Sequence, residues 1–306
     1  MYDLVIIGGG PAGVSAGVYA ARKRLKTLLI TESFGGQSTE SSGIENWIGT
    51  PHIHGVAFGE MLEGHLRASA TDVVDIKLNR VVKVSKLEVG KFEIQTEDGK
   101  SYTTKTVLVA TGSTRKKLEI PGAEEFENKG ISYCASCDGP LFAGQDVAVV
   151  GGGNAAFETA SQLLAYARSV TLLNRSEVFR ADEVTVEKVL SHPKMKAIKN
   201  AIPKEIKGEK FVNTLVYEEN GKTKELLVTG IFVEIGLIPT THFVEGLVPL
   251  NNFKQILVDP KNQRTQVAGV WAAGDSTDGL FHQNNIAAGD AVKALEDIYL
   301  FLHAGK

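Results

Sequence analysis

Cys134-Ala135-Ser136-Cys137-Asp138-Gly139-Pro140 holds both cysteines of the 306-residue chain, three positions apart, with an acid directly after the second. A metal site would need at least two further ligands. There is no second cysteine pair, and His52, His54, His192 and His282 fall without ligand spacing. A redox dithiol needs nothing more: the pair can close a small disulfide, and a lowered thiol pKa makes one sulfur nucleophilic at neutral pH. The alternative is a pair of inert core cysteines.

Two glycine-rich turns flank this segment. Gly8-x-Gly10-x-x-Gly13 follows the apolar run Leu4–Ile7 and opens a helix-compatible stretch, Pro11–Lys23, with Glu32 nineteen residues after Gly13. This is the dinucleotide fingerprint in its required context. The first glycine allows a tight turn, the second lets backbone N–H groups approach a pyrophosphate, and the third lets helix and strand pack; Glu32 would accept from a ribose hydroxyl. Gly151-x-Gly153-x-x-Ala156 repeats the pattern at an offset of 143 residues, after Val147–Val150 and before Asn154–Arg168. Its second strand, Val170–Asn174, ends in Asn174-Arg175-Ser176 with Arg180 beyond, where the first copy has an acid. Guanidinium groups there suit the 2′-phosphate of NADP, a solvated arginine rim being the alternative. A dithiol with two nucleotide sites also needs a group that accepts a hydride and passes electrons to sulfur. A flavin does this and a nicotinamide alone does not, so the N-terminal site is expected to hold FAD.

The elements that must position these groups read as two βαβ units, each implying a parallel sheet covered on both faces. The expected class is α/β, with two Rossmann-like nucleotide-binding domains, the second inserted in the first, each with an added antiparallel hairpin layer. Hairpins are predicted around Asp98-Gly99, between Lys91 and Thr104, and around Asn220-Gly221, between Phe211 and Val228. Val107–Gly112 and Gly269–Asp275 form a further matched pair, each a strand stopped by small residues. Gly112–Lys117 and Gly236–Thr241 read as hinges. The predicted domains are therefore residues 1–113 with 242–306, binding FAD, and residues 114–241, NADP-like and carrying the dithiol. Ala288, Ala291, Val292, Leu295, Ile298, Tyr299 and Leu302 follow helical spacing and predict a closing helix.

Composition narrows the field. Charged residues are 23% and apolar ones 43% of the chain, enough for about two cored domains. A net charge of −3 supplies no field to hold nucleic acid or an anionic membrane, so neither is expected as a partner. The uncharged stretch from Leu4 to Ala21 is broken by Gly8, Gly9, Gly10, Pro11, Gly13 and Gly17 and is not expected to span a bilayer. Two cysteines make no secreted disulfide framework and Met1-Tyr2-Asp3 leads no signal peptide, so a cytoplasmic location is expected.

Taken together, the residues resemble the low-molecular-weight thioredoxin reductases, the class II pyridine nucleotide-disulfide oxidoreductases, over essentially the whole chain. The resemblance rests on GGGPAG (Gly8–Gly13), GGQ (Gly35–Gln37), ENWIG (Glu45–Gly49), ATG (Ala110–Gly112), CASCDG (Cys134–Gly139), GGGNAA (Gly151–Ala156) and AAGD (Ala272–Asp275). It implies a homodimeric flavoenzyme that passes electrons from NADPH through FAD to the dithiol and on to a thioredoxin-type protein. By this matching Cys137 faces the flavin, Cys134 attacks the protein substrate, and Asp138 protonates and deprotonates the departing thiol or the flavin. FAD would be held by Gly8, Gly10, Pro11, Ala12, Gly13, Glu32, Gly36, Gln37, Asn46, Ala110, Gly112, Gly274, Asp275, Gln283 and Asn284. NADPH would be held by Gly151, Gly153, Asn154, Ala155, Arg175 and Arg180. Since Cys137 must meet the flavin and the pair must later meet a bulky protein disulfide, rotation of the inserted domain about its hinges is also expected.

Two segments depart from the family. Its His-Arg-Arg-x-x-x-Arg signature is here Asn174-Arg175-Ser176-Glu177-Val178-Phe179-Arg180, and its Arg-Gln-Ala is His282-Gln283-Asn284. Losing a charged phosphate partner lowers NADPH affinity by roughly two decades. The alternatives are a family member fed by ferredoxin or by a second flavin, and a non-enzymatic flavin redox sensor. A hydroperoxide-reductase flavoprotein shares this core but adds two N-terminal thioredoxin-like modules; this chain begins at the FAD strand and would need a separate carrier. The lysines at Lys194, Lys196, Lys199, Lys204, Lys207 and Lys210 could dock an acidic protein or form a solvated face.

Overall fold

A computed structural model describes residues 1–41 and 43–303. Ser42 and residues 304–306, the end of the predicted first domain, lie outside the described residues. The chain forms two compact units, one running from Met1 to Thr114 and resuming at Ile238, the other from Arg115 to Leu237.

In the first unit β1 (Tyr2–Ile7), α1 (Pro11–Arg22) and β2 (Thr27–Thr31) make the first βαβ motif, and α2 (Gly55–Ala70) leads to β3 (Val74–Leu78). The antiparallel β4 (Val81–Glu88), β5 (Lys91–Thr96) and β6 (Ser101–Val109) follow. β7 (Ser113–Arg115) marks the way into the second unit. There β8 (Ile131–Ser132), the single-turn α3 (Ala135–Asp138), β9 (Asp146–Val150), α4 (Asn154–Leu163) and β10 (Ser169–Leu173) precede α5 (Glu183–Leu190) and β11 (Met195–Ile198). The meander β12 (Ala201–Gly208), β13 (Val212–Glu219), β14 (Lys222–Leu227) and then β15 (Gly230–Val233) complete it. β16 (Leu237–Pro239) pairs with β7, and the first unit closes with β17 (Val270–Ala272) and α6 (Asn284–His303).

The first sheet has the order β3-β2-β1-β6-β5-β4, with β17 also on β6. β6 has two roles along its nine residues: Ser101–Thr104 pair antiparallel with β5, while Val107–Val109 run parallel to both β1 and β17. The antiparallel strands continue from the parallel sheet through β6, and their Val81, Val84, Phe92 and Ile94 pack against its Val5, Ile7, Leu28 and Ile30. Both faces are covered, since Leu4, Ile6 and Leu108 join α1, α2 and α6 in one core while Val5, Ile7 and Val107 join Phe92, Phe243 and Val248 in another. That is why β1 reads as an unbroken apolar run. α1 lies close to α2, where a Cβ on Gly17 would come within 2.6 Å of Leu66 Cδ1.

The second sheet is parallel in the order β11-β10-β9-β15-β8, with β12-β13-β14 as a separate antiparallel sheet. Asn220 and Gly221 have φ of 51° and 78°, the paired positive values of a tight hairpin turn between β13 and β14. α4 ends at Leu163, short of the predicted Arg168. Among the described residues no helix is long and apolar enough to cross a membrane.

Candidate active site

The first fingerprint is built by close approach. A Cβ on Gly13 would lie 1.9 Å from the Gly8 carbonyl oxygen, and one on Gly8 2.2 Å from that of Ala110, so α1 can pack on the ends of β1 and β6 only with glycine at both places. Gly8 also has φ of +121°. Gly10 differs, because a Cβ there would meet only the Gly36 Cα, at 4.0 Å. It caps α1 without any side-chain hydrogen bond, and Pro11 at the first helical position has no N–H to satisfy, leaving an open helix start suited to phosphate.

Residues distant in sequence gather at the same sheet edge. Gln37 Nε2 donates to Ser113 Oγ at 3.2 Å, Asn46 Nδ2 to Gln283 Oε1 at 3.2 Å, and Ser38 Oγ to Asn284 Oδ1 at 2.8 Å. Asp275 lies 3.4 Å from His282 Nδ1, and a Cβ on Gly274 would be 3.5 Å from Ala12. Gly112, with φ of +64°, has open space where a side chain would stand. Glu32 follows β2 and is exposed, but Arg80 Nη2 donates to it at 2.6 Å. Arg80 was not legible as a site residue; an Asn-Arg pair just past β3 was its only signal. These open glycines and converging amides fit a flavin nucleotide.

In the second unit the dithiol is a disulfide between Cys134 and Cys137, with Cα atoms 5.3 Å apart. Cys134 caps α3, its Sγ accepting from the Cys137 N–H at 3.2 Å. Ser132 holds the segment from below, accepting from the Cys134 N–H at 3.1 Å and donating to Asp138 Oδ2 at 2.6 Å. Burial pushes the Asp138 carboxyl above the usual aspartate range, while the Ser132 hydroxyl and the Arg115 charge act in the opposite direction. Among the described residues no cluster of histidine, cysteine and acid groups could hold a metal.

The second fingerprint follows the first. Gly151 has φ of +150°, and a Cβ there would strike the Glu234 carbonyl oxygen at 2.3 Å. Gly153 caps α4 without a side-chain hydrogen bond, and nothing stands within 4 Å of its missing Cβ. Asn154 Oδ1 accepts from the Asp182 N–H at 2.8 Å, fastening the start of α4 to the following loop, and Ala155 beside it is exposed. The Arg180 N–H donates to the Gly152 carbonyl at 2.7 Å, which brings the arginine loop back to the glycine turn. Arg175 and Arg180 are both exposed. Glu177 between them is held by Asn200 Nδ2 at 2.7 Å and Lys199 Nζ at 3.5 Å, beside a cavity of about 380 Å³. Of the six lysines, Lys199, Lys204 and Lys207 pair with acids, which favours a solvated face.

Two nucleotide-type folds and a disulfide closed over three positions define a class. The chain belongs to the pyridine nucleotide-disulphide oxidoreductase family, whose model matches residues 2–291, and membership of that family implies a flavin and a nicotinamide nucleotide. Its fold is that of the low-molecular-weight thioredoxin reductases. The crystal structure of thioredoxin reductase from Streptococcus pyogenes MGAS5005 is similar at a TM-score of 0.89 and 34% identity, with 99% of both chains covered. Thioredoxin reductase from Giardia duodenalis gives 0.92 and 32%, again with 99% of each. Among curated proteins, "NADH dehydrogenase" of Bacillus subtilis (strain 168) is 40% identical over 295 residues, 96% of this chain and 57% of that one. An alkyl hydroperoxide reductase component of Escherichia coli (strain K12) is 38% identical over 296 residues, 96% of this chain and 57% of that one. The chain thus spans a little over half the length of the curated relatives it matches.

Proposed function

We propose that the chain is a homodimeric cytoplasmic disulfide reductase that draws electrons from a nicotinamide nucleotide and delivers them to the disulfide of a thioredoxin-type protein. The observation that carries this reading is the Cys134–Cys137 disulfide, partly exposed, with the part-buried Asp138 directly after it. FAD, cradled by Gly8, Gly10, Gly13 and Gly36 and flanked by Gln37, Asn46, Asp275, Gln283 and Asn284, would supply a two-electron relay between a hydride and a disulfide.

The protein's own sulfurs complete the transfer. Once the pair is reduced, the Cys134 thiolate attacks one sulfur of the carrier disulfide, a mixed disulfide forms and one carrier thiolate leaves. The Cys137 thiolate then attacks Cys134 Sγ, the second carrier thiolate leaves, and the internal disulfide is restored. Asp138, steadied by Ser132, hands a proton to a departing thiolate and recovers it in the next cycle.

For the donor, the exposed Arg175 and Arg180 favour NADPH. A second reading, NADH, is favoured by Glu177, a carboxylate set between those arginines and suited to a ribose hydroxyl, and by the name of the Bacillus subtilis relative. Anaerobic stopped-flow mixing of the FAD-loaded protein with NADPH, NADH or reduced ferredoxin decides among them. The expected result is rapid loss of visible flavin absorbance with NADPH, and sustained turnover once thioredoxin is added. Bleaching by dithionite or ferredoxin but by neither nucleotide would overturn the donor; bleaching without turnover on any disulfide carrier would leave a sensor.

A further inference from the structure

β15 ends at Val233, and Glu234 is the next residue, on the C-terminal edge of the parallel sheet. Its backbone oxygen closes against Gly151, as the 2.3 Å approach shows. Its side chain is only partly exposed, and Oε1 accepts from Thr159 Oγ1 of α4 at 2.8 Å. A fingerprint of this kind sets the pyrophosphate at the α4 N-terminus and one ribose at the end of β10. In the order β11-β10-β9-β15-β8 the other half of the dinucleotide then belongs on the β15 side of β9, where Glu234 is the first residue past the strand.

We infer that Glu234 senses the charge of the nicotinamide ring, its carboxylate favouring the cationic oxidised nucleotide over the neutral reduced one. The inference rests on the nucleotide site proposed above. Arg115 on β7 and Glu158 on α4 are the charged groups whose fields reach the carboxyl, and Thr159 is its hydrogen-bond donor. Burial, the largest influence, pushes its pKa up to about 7; the Thr159 hydroxyl and Arg115 pull it down, and Glu158 adds to the rise. Below that pH the group is neutral and indifferent to ring charge. Above it the carboxylate attracts the pyridinium, so oxidised product is held more tightly as pH rises.

The test is isothermal titration of the FAD-loaded protein with NADP⁺ and with 1,4,5,6-tetrahydro-NADPH, a neutral-ring analogue that transfers no hydride, and with the corresponding NAD pair. Both members of a pair carry the same phosphates, so the ratio of their affinities isolates ring charge. The ratio should rise by roughly tenfold toward the oxidised form, with a midpoint near pH 7. Glu234→Gln should flatten it. Thr159→Val, which removes a donor to the carboxylate, should move the midpoint to higher pH and serves as the second variant if Glu234→Gln does not fold. A wild-type ratio independent of pH, or an unchanged slope in a folded Glu234→Gln, overturns the inference while leaving the nucleotide site standing. Failure of wild type to bind either member of both pairs overturns the site and the inference with it.

Discussion

Ser132 serves two neighbours with one hydroxyl, accepting from the Cys134 N–H and donating to Asp138. In Ser132→Ala the aspartate loses a donor that favours its charged form, so its already raised pKa should rise further. The limb of the turnover profile that reports this group should then move to higher pH, while the orphaned N–H costs about 1 kcal/mol in stability. Turnover measured against pH, alongside urea denaturation, separates the two effects. Glu234 gives a prediction of opposite use. Its folded pKa of about 7 lies above the unfolded value near 4.5, so its contribution to stability is fully present below about pH 4.5 and is lost as pH rises through about 7. Glu234→Gln should remove that slope and leave the variant more stable than wild type at pH 8, by a few kcal/mol at most. Denaturation midpoints for the two proteins at acid and at alkaline pH check it. For the cysteines, Cys134→Ser and Cys137→Ser should each abolish thioredoxin reduction, because either change removes one half of the exchange. A single-cysteine variant that still turned over would refute the dithiol assignment.

The two helix starts separate folding from binding. Gly13→Ala forces a methyl against the Gly8 carbonyl at 1.9 Å and should lower the melting temperature and leave the protein without flavin. Gly153→Ala meets nothing within 4 Å and sits at φ −98°, which any residue adopts. It should melt as wild type does, yet bind nicotinamide nucleotide at least tenfold more weakly, since the methyl occupies the space where phosphate comes close to backbone. Differential scanning calorimetry with nucleotide titration tests both. Much of this level was readable in the sequence. β1 and β9 carry the continuous apolar runs Leu4–Ile7 and Val147–Val150 because both faces of a parallel sheet are covered, and each fingerprint follows such a run directly. What escaped was side-chain pairing between distant segments, such as Asn46 with Gln283 or Arg80 with Glu32, which no local pattern encodes. The burial of Glu234 also escaped, although an acid directly after Gly230–Val233 was a visible irregularity. The motifs of the flavin and dithiol segments were legible through their resemblance to a family; the Ser132 contact that tunes Asp138 was not.

At the scale of the molecule, β7 and β16 pair with each other where the chain passes between its two units. Arg115 and Leu237, the ends of the second unit, therefore emerge from one short ladder. A module whose first and last residues are neighbours needs no scaffold to bring its termini together, and the entropy of closing it is small. The segment 115–237, expressed alone, should fold cooperatively and form its internal disulfide, as circular dichroism and thiol counting would show. It could equally be reconnected head to tail and opened at Asn220-Gly221, an exposed bend where a Cβ on Gly221 would meet nothing within 4 Å. Such a portable cassette would allow a lineage to exchange the dithiol-bearing unit of the protein while keeping the other unit unchanged.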